Sequence, residues 1–439
     1  VRSRRQRQMC IRDSDWPIRY NDLDPWYTYV EKFVGVSGNK DGLDILPDGD
    51  FLRPFGNNCV EDYFSDQMKK YYNDRHVIYG RCAHLTESKP IYVEQGRGLC
   101  ASRNVCQRGC PFGGYFNVNS TLIPWSIKTG NLTLKTDSVV HSIIYDKDQK
   151  KALGVRVIDA HTKSTKDYFS KVIFLNASTL NTNLILLNST SDRFPNGLGN
   201  DSGLLGKYIA FHNYRGVITA THEGHKDRRV DGRKPTSAYL PRFRNVYRQE
   251  TDFLRGYAAG FGAGKGMDYD ASPIGEDLYK NLLNTNESDV WNVNSHMMGE
   301  TIPKESNQVS LDEDLKDPWG IPQLKVNVDY DENDEKMLQD FFDEFSEMYT
   351  KAGFTNIKTN DNGRIPGNDI HEMGGVRMGH DPKTSLLNQW NQLHHCQNVF
   401  VTDGACMTST STQNPSLTFM ALTARSAHHA IEEMKKGNI

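Results

Sequence analysis

The chain has 439 residues, a length that suits two or three domains around a sizeable hydrophobic core. Hydrophobic residues make up 37% and charged residues 24%, which is ordinary for a globular protein. The net charge of −3 gives no electrostatic basis for nucleic acid or anionic lipid as the main partner. No apolar run approaches the length of a membrane span, so no transmembrane segment is predicted.

The first fourteen residues differ from everything that follows them. The stretch VRSRRQRQMCIRDS is basic and aperiodic, and its end, MCIRDS, resembles the translated end of a transposon-type sequencing adapter. We therefore expect residues 1–14 to be an artefact, so that the natural protein begins upstream of residue 15. A basic disordered tail is the alternative.

The first half of the chain changes from helix and loop to short strands. Residues 15–98 are predicted to mix helices with loops, and strands follow from residue 132 to residue 177. The predicted strands are NLTLKT, VVHSIIYD, LGVRVIDA and KVIFLNAS. The last of these is a continuous apolar run, as expected of a buried parallel strand, and the next stretch, NTNLILLNS, is predicted to be a helix.

The second half combines further strands with long helices. Residues 206–330 are predicted to mix strands and loops, and GFGAGKG (260–266) is interpreted as a loop because no clean buried strand precedes it. NVFVTDGA (398–405) predicts a buried strand that ends in a glycine turn. Residues 330–353 predict an amphipathic helix. Its apolar residues recur at three- and four-residue steps: Met337, Phe341, Phe345 and Met348.

The last helix has the clearest start signal in the chain. Asn414 is a good N-cap, and Pro415 suits the first helical position, where its missing N–H costs nothing. The free N–H groups and the positive dipole end at such a helix start can face an anion. One face of the helix is predicted to pack in the core: Leu417, Met420, Ala424, Ala427, Ile431 and Met434.

The stretch HEMGGVRMG (371–379) places one histidine before a pair of glycines and an arginine. His371 could be a metal ligand, a packed core histidine or a proton acceptor. The metal interpretation is poorly supported, because Glu372 adjoins His371 but no second histidine follows at helical spacing. The choice between the other two depends on what else the chain carries.

Three of the eight cysteines form a cluster in the sequence. Cys100, Cys106 and Cys110 follow one another at steps of six and four residues, which indicates a ligand set more than a disulfide framework. Three thiolates on a tight loop suit an iron–sulfur cluster. A zinc site or three free thiols are the alternatives, although three ligands leave the usual fourth position of zinc open.

Three stretches together resemble the glucose–methanol–choline (GMC) oxidoreductase family. They are DWPIRYNDLDPWYTYVEKFVGVSG (15–38), HEMGGVRMG, and NVFVTDGACMTSTSTQNPSLTFMALTAR (398–425). The likeness runs from residue 15 to the end and is closest to the bacterial sugar and sugar-acid dehydrogenase branch. It implies an FAD-dependent enzyme that oxidises a CH–OH group of a sugar, glycoside or sugar acid to a carbonyl, with hydride transfer to flavin N5.

The resemblance also implies a fold and a division into domains. The expected class is α/β, or α+β overall, with a discontinuous Rossmann-like FAD domain and a substrate domain of antiparallel sheet and helices. The first βαβ unit of the FAD domain should precede residue 15, so we expect an N-terminally truncated chain. The expected parts are 15–98 (cap or substrate domain), 99–205 (FAD domain with the cysteine loop), 206–368 (substrate domain) and 369–439 (FAD domain with the catalytic residues).

The family places a histidine at the head of the glycine motif and a His or Asn before the proline of the last helix. Here these residues are His371 and Asn414, which the resemblance implies to be catalytic. A neutral imidazole suits removal of the alcohol proton near neutral pH. The amide of Asn414 can hold the same oxygen without competing as a base, and the helix start would stabilise negative charge on the reduced flavin.

Further FAD contacts are implied by position in the family motifs. Asp403 and Gly404 match the strand and turn beside the pyrophosphate and ribityl chain, and Val140 matches the strand whose backbone meets the adenine. Ala177 lies in a loop of small residues. An ordinary strand or turn role is the alternative for Val140 and Ala177. The implied FAD contacts are Val140, Ala177, Asp403, Gly404, Asn414 and Pro415.

The cysteine spacing resembles the ligands of a [3Fe–4S] cluster in some bacterial members of the family. Such a cluster would pass electrons singly from the flavin to a cytochrome. The resemblance therefore implies a small subunit and a cytochrome acceptor as partners, a sugar or sugar-acid substrate, and a periplasmic location. Two other functions stay open from the sequence: a non-catalytic carbohydrate-binding remnant, and an oxidase that reduces O₂ directly.

Overall fold

The computed structural model describes residues 15–103, 106–228, 234–268, 272, 274–283, 286–367 and 370–439. The stretch attributed above to a sequencing adapter, residues 1–14, lies outside the described residues. Within the described ranges, none of the helices has both the length and the apolar character that a membrane span requires. The α-helices of this part of the chain are α1 (Tyr20–Val34), α2 (Cys59–Tyr71), α3 (Pro90–Glu94), α4 (Ile123–Ile127), α5 (Thr179–Asn188), α6 (Glu276–Leu283), α7 (Glu332–Lys351) and α8 (Ser416–Lys436).

The β-strands of the described ranges vary from two residues, as in β1, to fifteen residues in β10. They are β1 (Ile78–Tyr79), β2 (Ser138–Asp146), β3 (Lys151–Asp159), β4 (Thr165–Phe169), β5 (Ile173–Leu175), β6 (His212–Asn213), β7 (Gly216–His222), β8 (Ala238–Leu240), β9 (Tyr257–Asp268), β10 (Asn286–Glu300), β11 (Gln308–Lys316), β12 (Pro322–Asn327), β13 (Thr355–Asp361), β14 (Gln392–Leu393) and β15 (Cys396–Val401). They form four sheets, of which the smallest is the antiparallel pair β11-β12.

The largest sheet is antiparallel and has helices α2 and α7 packed in its core. Its seven strands run in the order β1-β8-β9-β10-β7-β13, with β6 paired to β10. The rings of Phe64 in α2 and Phe261 in β9 stack with their centres 4.1 Å apart. The predicted apolar stripe of α7 is confirmed, because its four residues are fully buried in this core: Met337, Phe341, Phe345 and Met348.

A second core lies around a parallel strand pair. β5 and β15 pair in parallel, as the apolar run of β5 predicted, and β14 completes this sheet. The antiparallel sheet β2-β3-β4 is tied to it by Asn398, whose side chain accepts from the N–H of Ala152 and donates to the carbonyls of Ala152 and Lys171. The predicted mixed class with an antiparallel sheet is thus confirmed, while its Rossmann-like details stay a prediction.

Two predictions of secondary structure are wrong. NLTLKT (131–136) forms no strand, and its Leu134 is 54% exposed, because no neighbouring strand pairs with it in the described structure. GFGAGKG (260–266) is not a loop but part of β9. Its strand pairs with β8 and β10, and these pairings hold the glycine-rich backbone in an extended conformation. Gly260 lies on a cavity wall, while its neighbour Phe261 is fully buried in the core.

The last helix starts one residue later than predicted. α8 begins at Ser416, its capping residue is Pro415, and no side chain caps it, so Asn414 is not the N-cap. The predicted apolar stripe is also wrong at its end, where Ile431 is 52% and Met434 42% exposed, because the last turns extend beyond the core. The side chains that α8 does bury are Ala421, Leu422, Arg425, Ser426 and Ala430.

The glycine motif (371–379) lies between two other backbone segments. On one side its N–H groups donate to the turn after β15, with Gly374 bonded to Gly404, Val376 to Ala405 and Met378 to Cys406, each at 3.0 Å. On the other side Ala210 and Met373 exchange two backbone hydrogen bonds of 2.8 Å. The motif therefore fixes the distance between the β15 turn and the segment that leads into β6.

Glycine is required where this segment is sandwiched. Gly374 has φ +94° and Gly375 has φ +85°, both in the left-handed region that side chains disfavour. A Cβ on Gly374 would overlap the carbonyl oxygen of Tyr208, and one on Gly375 would overlap the amide of Asn183. The close approach of three backbones therefore depends on the absence of side chains here.

We predict that Gly374→Ala destabilises the protein by roughly 1–3 kcal/mol more than Gly130→Ala does. Both glycines have positive φ, but a Cβ on Gly130 would have no heavy atom within 4 Å, so Gly130→Ala reports the backbone strain alone. Urea unfolding of the two variants measures the difference. If both variants lose the same free energy of unfolding, the backbone segments on either side of Gly374 can move apart without an energetic cost, and the prediction is wrong.

A second prediction concerns the start of α7. Asp331 and Asp334 form a capping box, and Asp334 is 3% exposed. Burial raises the pKa of Asp334 to about 7, helped by repulsion from Asp331 and opposed by a backbone hydrogen bond at Asp331. Because the folded-state pKa lies above the ordinary 3.8, this carboxyl stabilises the fold most below about pH 4 and loses that contribution as the pH rises to about 7.

We expect Asp334→Asn to gain stability relative to the wild type as the pH rises from 4 to 8, by on the order of a few kcal/mol. The amide cannot ionise, yet its oxygen can still accept the capping hydrogen bond. Chemical unfolding at several pH values measures the difference, with Asp343→Asn on the exposed side of α7 as control. A difference independent of pH would show that Asp334 does not titrate in this range.

Candidate active site

A cavity of about 1290 Å³ lies between α1, the start of α8 and the large antiparallel sheet. It exceeds the roughly 300–1,000 Å³ usual for the site of a drug-sized ligand, so it has room for a large ligand or for two ligands. Two side-chain hydrogen bonds join its walls: Trp16 donates to Ser409 at 3.0 Å, and Tyr27 and Thr418 share one at 2.8 Å. Its polar and aromatic lining residues include Trp16, Tyr27, Tyr214, Tyr239, His296, Ser409, Thr410 and Asn414.

The start of α8 forms one wall of this cavity. Asn414 and Pro415, both predicted as site residues, line it together with Ser416. Asn414 is exposed and Pro415 is buried. Because no side chain caps the helix, the first-turn N–H groups and the positive end of the helix dipole are available to a negatively charged or electron-rich ligand.

Two of the predicted cofactor contacts belong to one hydrogen-bonded chain. The backbone N–H of Ala177 donates to the hydroxyl of Thr182 at 3.1 Å, and this hydroxyl donates to the carboxylate of Asp403 at 2.6 Å. Asp403 also accepts from the N–H of Ala405. Burial raises the pKa of Asp403, and the bond from Thr182 opposes that shift. The chain links the end of β5 to the end of β15, and Thr182 was not singled out from the sequence.

Gly404 connects this turn to the histidine motif. Its carbonyl accepts from Gly374, and a Cβ at this position would meet the hydroxyl of Thr179 and the carbonyl of Glu372. Thr179 in turn donates to the carbonyl of Glu372 at 2.5 Å. The structure therefore brings the residue next to His371 against the predicted cofactor contact Gly404.

His371 has a backbone conformation that is unusual for a residue with a side chain. Its φ is +70°, in the left-handed region, and its side chain is half-buried. Such conformations persist where the surrounding structure enforces them, often at functional sites. The ring of His371 does not belong to the described cavity lining; it packs against the ring of His212, with the ring centres 5.1 Å apart and the planes at 88°.

His212 is a residue that the sequence analysis missed. It is 2% exposed, and burial together with the neighbouring His371 lowers its pKa to about 4, so its ring is neutral near pH 7. Backbone groups of Gly299 and Ser411 lie close to its ring, although neither nitrogen makes a hydrogen bond of full geometry with a described residue. Ser411 lines the cavity, so His212 is close to the cavity wall as well as to His371.

The sheet side of the cavity carries three further residues that the sequence did not single out. The rings of Tyr214 and His296 stack, with their centres 6.5 Å apart. Burial, and secondarily the charge of Arg364, lowers the pKa of His296. Tyr239 donates its hydroxyl to the carbonyl of Thr412 at 2.8 Å, and burial raises its pKa. No local motif marks these residues, since they converge only when the sheet forms.

The remaining predicted residues lie outside this cavity. Val140 is half-buried in β2, where it packs against the second core. Cys100, Cys106 and Cys110 are half-buried free thiols; Cys110 accepts a backbone hydrogen bond from Gly114 at 3.3 Å. In the part of the chain that the structure describes, no three histidine, cysteine or acidic side chains are arranged to hold a metal ion.

One neighbour of the cysteine loop was also missed. His84 Nε2 lies 3.7 Å from the sulfur of Cys106, and its Nδ1 is buried without a hydrogen-bond partner among the described residues. Burial lowers the pKa of His84 to about 4, and the charge of Arg97 adds to this shift. The three thiols thus share a loop but are not gathered into a ligand set.

Comparison with known proteins gives consistent matches across the chain. The chain is 28% identical to 2-methyl-1,2-propanediol dehydrogenase of Mycolicibacterium austroafricanum, over 94% of this chain and 74% of that protein. It is 25% identical to the large subunit of fructose dehydrogenase of Gluconobacter japonicus, over 96% and 76% of the two chains. It is 24% identical to paromamine 6'-oxidase of Streptomyces fradiae, over 94% and 72%.

Two family models also match, and both carry the description GMC oxidoreductase. One covers residues 75–212 and the other residues 303–423, so together they span more than half of the chain. The second match contains the histidine motif, the turn after β15 and the first turns of α8, which are the segments that form the hydrogen-bonded site. The chain therefore belongs to the GMC oxidoreductase family, as its motifs predicted, and is an FAD-dependent enzyme that acts on alcohols or sugars.

Proposed function

We propose that the protein is a dehydrogenase that oxidises a CH–OH group of a sugar, glycoside or sugar acid to a carbonyl. The observation that carries the proposal is the cavity at the uncapped start of α8, which Asn414 lines. The histidine motif is hydrogen-bonded to residues 404–406, and the helix start at Ser416 follows ten residues after Cys406. Proton removal, oxygen positioning and cofactor binding can therefore be combined at one place.

The residues around the cavity fit the flavin end of FAD. The hydroxyl of Thr410 is buried in the cavity wall and has no hydrogen-bond partner among the described residues. The uncapped N–H groups of α8 lie at the same wall. Donors and an orphaned hydroxyl of this kind suit the polar edge of a flavin ring. When bound, FAD supplies the acceptor for the hydride that leaves the alcohol carbon.

Other residues are assigned to holding the rest of FAD. The hydrogen-bonded chain from Ala177 through Thr182 to Asp403 supports this assignment, because it fixes the ends of the two parallel strands. Binding at the carboxyl ends of parallel strands is the general rule in α/β sheets. The residues that we assign to FAD are Val140, Ala177, Asp403, Gly404, Asn414 and Pro415.

His371 is assigned the role of proton acceptor. The O–H proton of the substrate passes to its imidazole as the C–H hydride leaves, and the remaining electron pair forms the carbonyl double bond. The strained backbone at His371 and its contact with the buried His212 support a side chain held for a task. For this role the ring must reach the cavity at the wall beside Ser411.

Asn414 is assigned the role of holding the substrate oxygen. Its side chain lines the cavity and is not used as a helix cap, so its amide is available to a ligand. An amide donates a hydrogen bond to the oxygen in both the alcohol and the carbonyl, but it does not compete for the proton. The neighbouring helix start adds positive potential on the same side of the cavity.

A sugar-like substrate is supported by the cavity and by one relative. Stacked Tyr214 and His296, with Tyr239 nearby, offer aromatic faces and polar edges on the sheet side. Fructose dehydrogenase is named for a sugar substrate. An oxidase is the second candidate, because a relative of similar identity is named paromamine 6'-oxidase. Turnover with dissolved O₂ alone would favour the oxidase, and turnover that requires an added dye acceptor would favour the dehydrogenase.

We further propose an iron–sulfur cluster at the cysteine loop and a partner subunit beside it. The cluster rests on the spacing of Cys100, Cys106 and Cys110 on one loop, with Cys110 already accepting a backbone N–H. In the described structure the three thiols are not gathered into a ligand set. The name of the fructose dehydrogenase relative, a large subunit, supports a partner subunit.

We predict that His371→Ala retains FAD but loses about 10²–10⁴-fold in turnover, the usual effect of removing a general base. FAD content is measured by flavin absorbance and turnover by reduction of an artificial electron acceptor with a panel of sugars and sugar acids. His380→Ala, at an exposed histidine of the same region, should keep normal turnover. A fully flavinylated His371→Ala with normal rates would remove His371 from the mechanism.

For the cysteine loop we predict that anaerobically purified protein contains iron, and that Cys106→Ser loses most of it. A three-cysteine site cannot keep its cluster when one thiolate is replaced by a poorer ligand. Metal analysis and the visible spectrum measure the loss, with Cys59→Ser in α2 as the control that should keep its iron. Zinc, or no metal in the parent protein, would contradict the cluster.

A further inference from the structure

We propose that His212 is a positioning residue that holds the imidazole of His371 in the orientation needed for proton removal. The inference rests on the proposed role of His371, and it assigns a function to a buried histidine outside the sequence motifs. It is drawn from the strand register, the ring contact and the burial of the described residues.

The backbone sets the two histidines opposite each other. Ala210 and Met373 form an antiparallel bridge, bonded in both directions at 2.8 Å. In an antiparallel pair, the residue two places after one partner faces the residue two places before the other, on the same side. His212 and His371 occupy these two positions, so the bridge brings the two residues near each other, and their rings are in contact.

His212 is the fixed member of the pair. It pairs with Glu300 in β10, and the next residue, Asn213, pairs with Gly299 and donates its side-chain amide to the carbonyl of Asp334 at 2.9 Å. His212 is therefore attached to the large sheet and to the first turn of α7. His371, by contrast, is half-buried and lies on an irregular segment with a left-handed backbone.

The geometry of the ring contact suits orientation more than proton exchange. The centres lie 5.1 Å apart and the planes are perpendicular, an arrangement in which one ring edge meets the other ring face. This contact opposes rotation of the His371 ring. Because burial keeps His212 neutral near pH 7, it provides this support without adding a positive charge that would weaken its neighbour as a base.

The test compares variants of the FAD-loaded protein. His212→Leu removes the aromatic ring, and we expect kcat to fall about tenfold or more while KM changes less than about threefold, because positioning of the base affects the chemical step more than substrate binding. His212→Phe keeps an aromatic ring and should recover most of the loss. His222→Leu, at another buried histidine of the large sheet, is the matched control and should keep its kcat.

A double variant tests whether His212 acts through His371. In the His371→Ala background, His212→Leu should cause no further loss, because nothing remains to be positioned. A full additional loss in that background, or a normal kcat in His212→Leu, would overturn the proposal. If His212→Leu fails to fold, as thermal melting would show, His212→Asn takes its place with the same expected results.

The orientation of the His371 ring gives a readout that does not use activity. In crystals of His212→Leu we expect this ring to be rotated or disordered, and in crystals of His212→Phe to be ordered as in the parent protein. An unchanged ring in His212→Leu would overturn the proposal even if the rate falls. Normal turnover in His371→Ala would instead contradict the proposed role of His371 as the base. The orientation of the His371 ring in crystals of His212→Leu would still show whether His212 positions that ring.

Discussion

The exchange of two backbone hydrogen bonds between Ala210 and Met373 is the constraint on which the site depends. It places the histidine motif against the segment that leads into the large sheet. On its other side the motif bonds to the turn after β15 through Gly374. The three backbone segments can pack this closely only because the two glycines of the motif have no side chain. Both positions therefore require glycine for steric reasons. The backbone bonds on both sides of the motif therefore fix the position of the residue proposed as the base, His371.

The same sandwich joins the two hydrophobic cores. One core surrounds the parallel pair β5 and β15, and the other lies between the large sheet and α7. The cavity lies where elements of both meet, since its walls come from the start of α8 on one side and from β8, β9 and β10 on the other. A ligand bound there contacts both parts, which is the usual location of sites between structural units.

The elements that could be predicted are those whose signal is local. The stripe of α7 and the apolar run of β5 follow from spacing within a few residues, and both were confirmed. Local signals failed for the glycine-rich β9, where pairing with neighbouring strands determines the structure. They also failed for residues 131–136, which pair with none of the strands that the structure describes. At the site, the motifs indicated His371 and Asn414. The place of His212 depends instead on the bridge between Ala210 and Met373, which lie 163 positions apart in the chain, so no single stretch reveals it.

Burial changes the pKa values of two titratable groups near the cavity. It lowers the pKa of His212 and raises that of Asp403, so both groups are shifted toward their uncharged forms. The helix start at Asn414 contributes positive potential at the cavity wall. The groups proposed for proton removal, His371 and His212, lie on the motif segment and β6, whereas Tyr214 and His296 lie on the sheet side. Because different elements are assigned the two proposed tasks, we expect that the sheet-side wall can change without disturbing the contact between the two histidines.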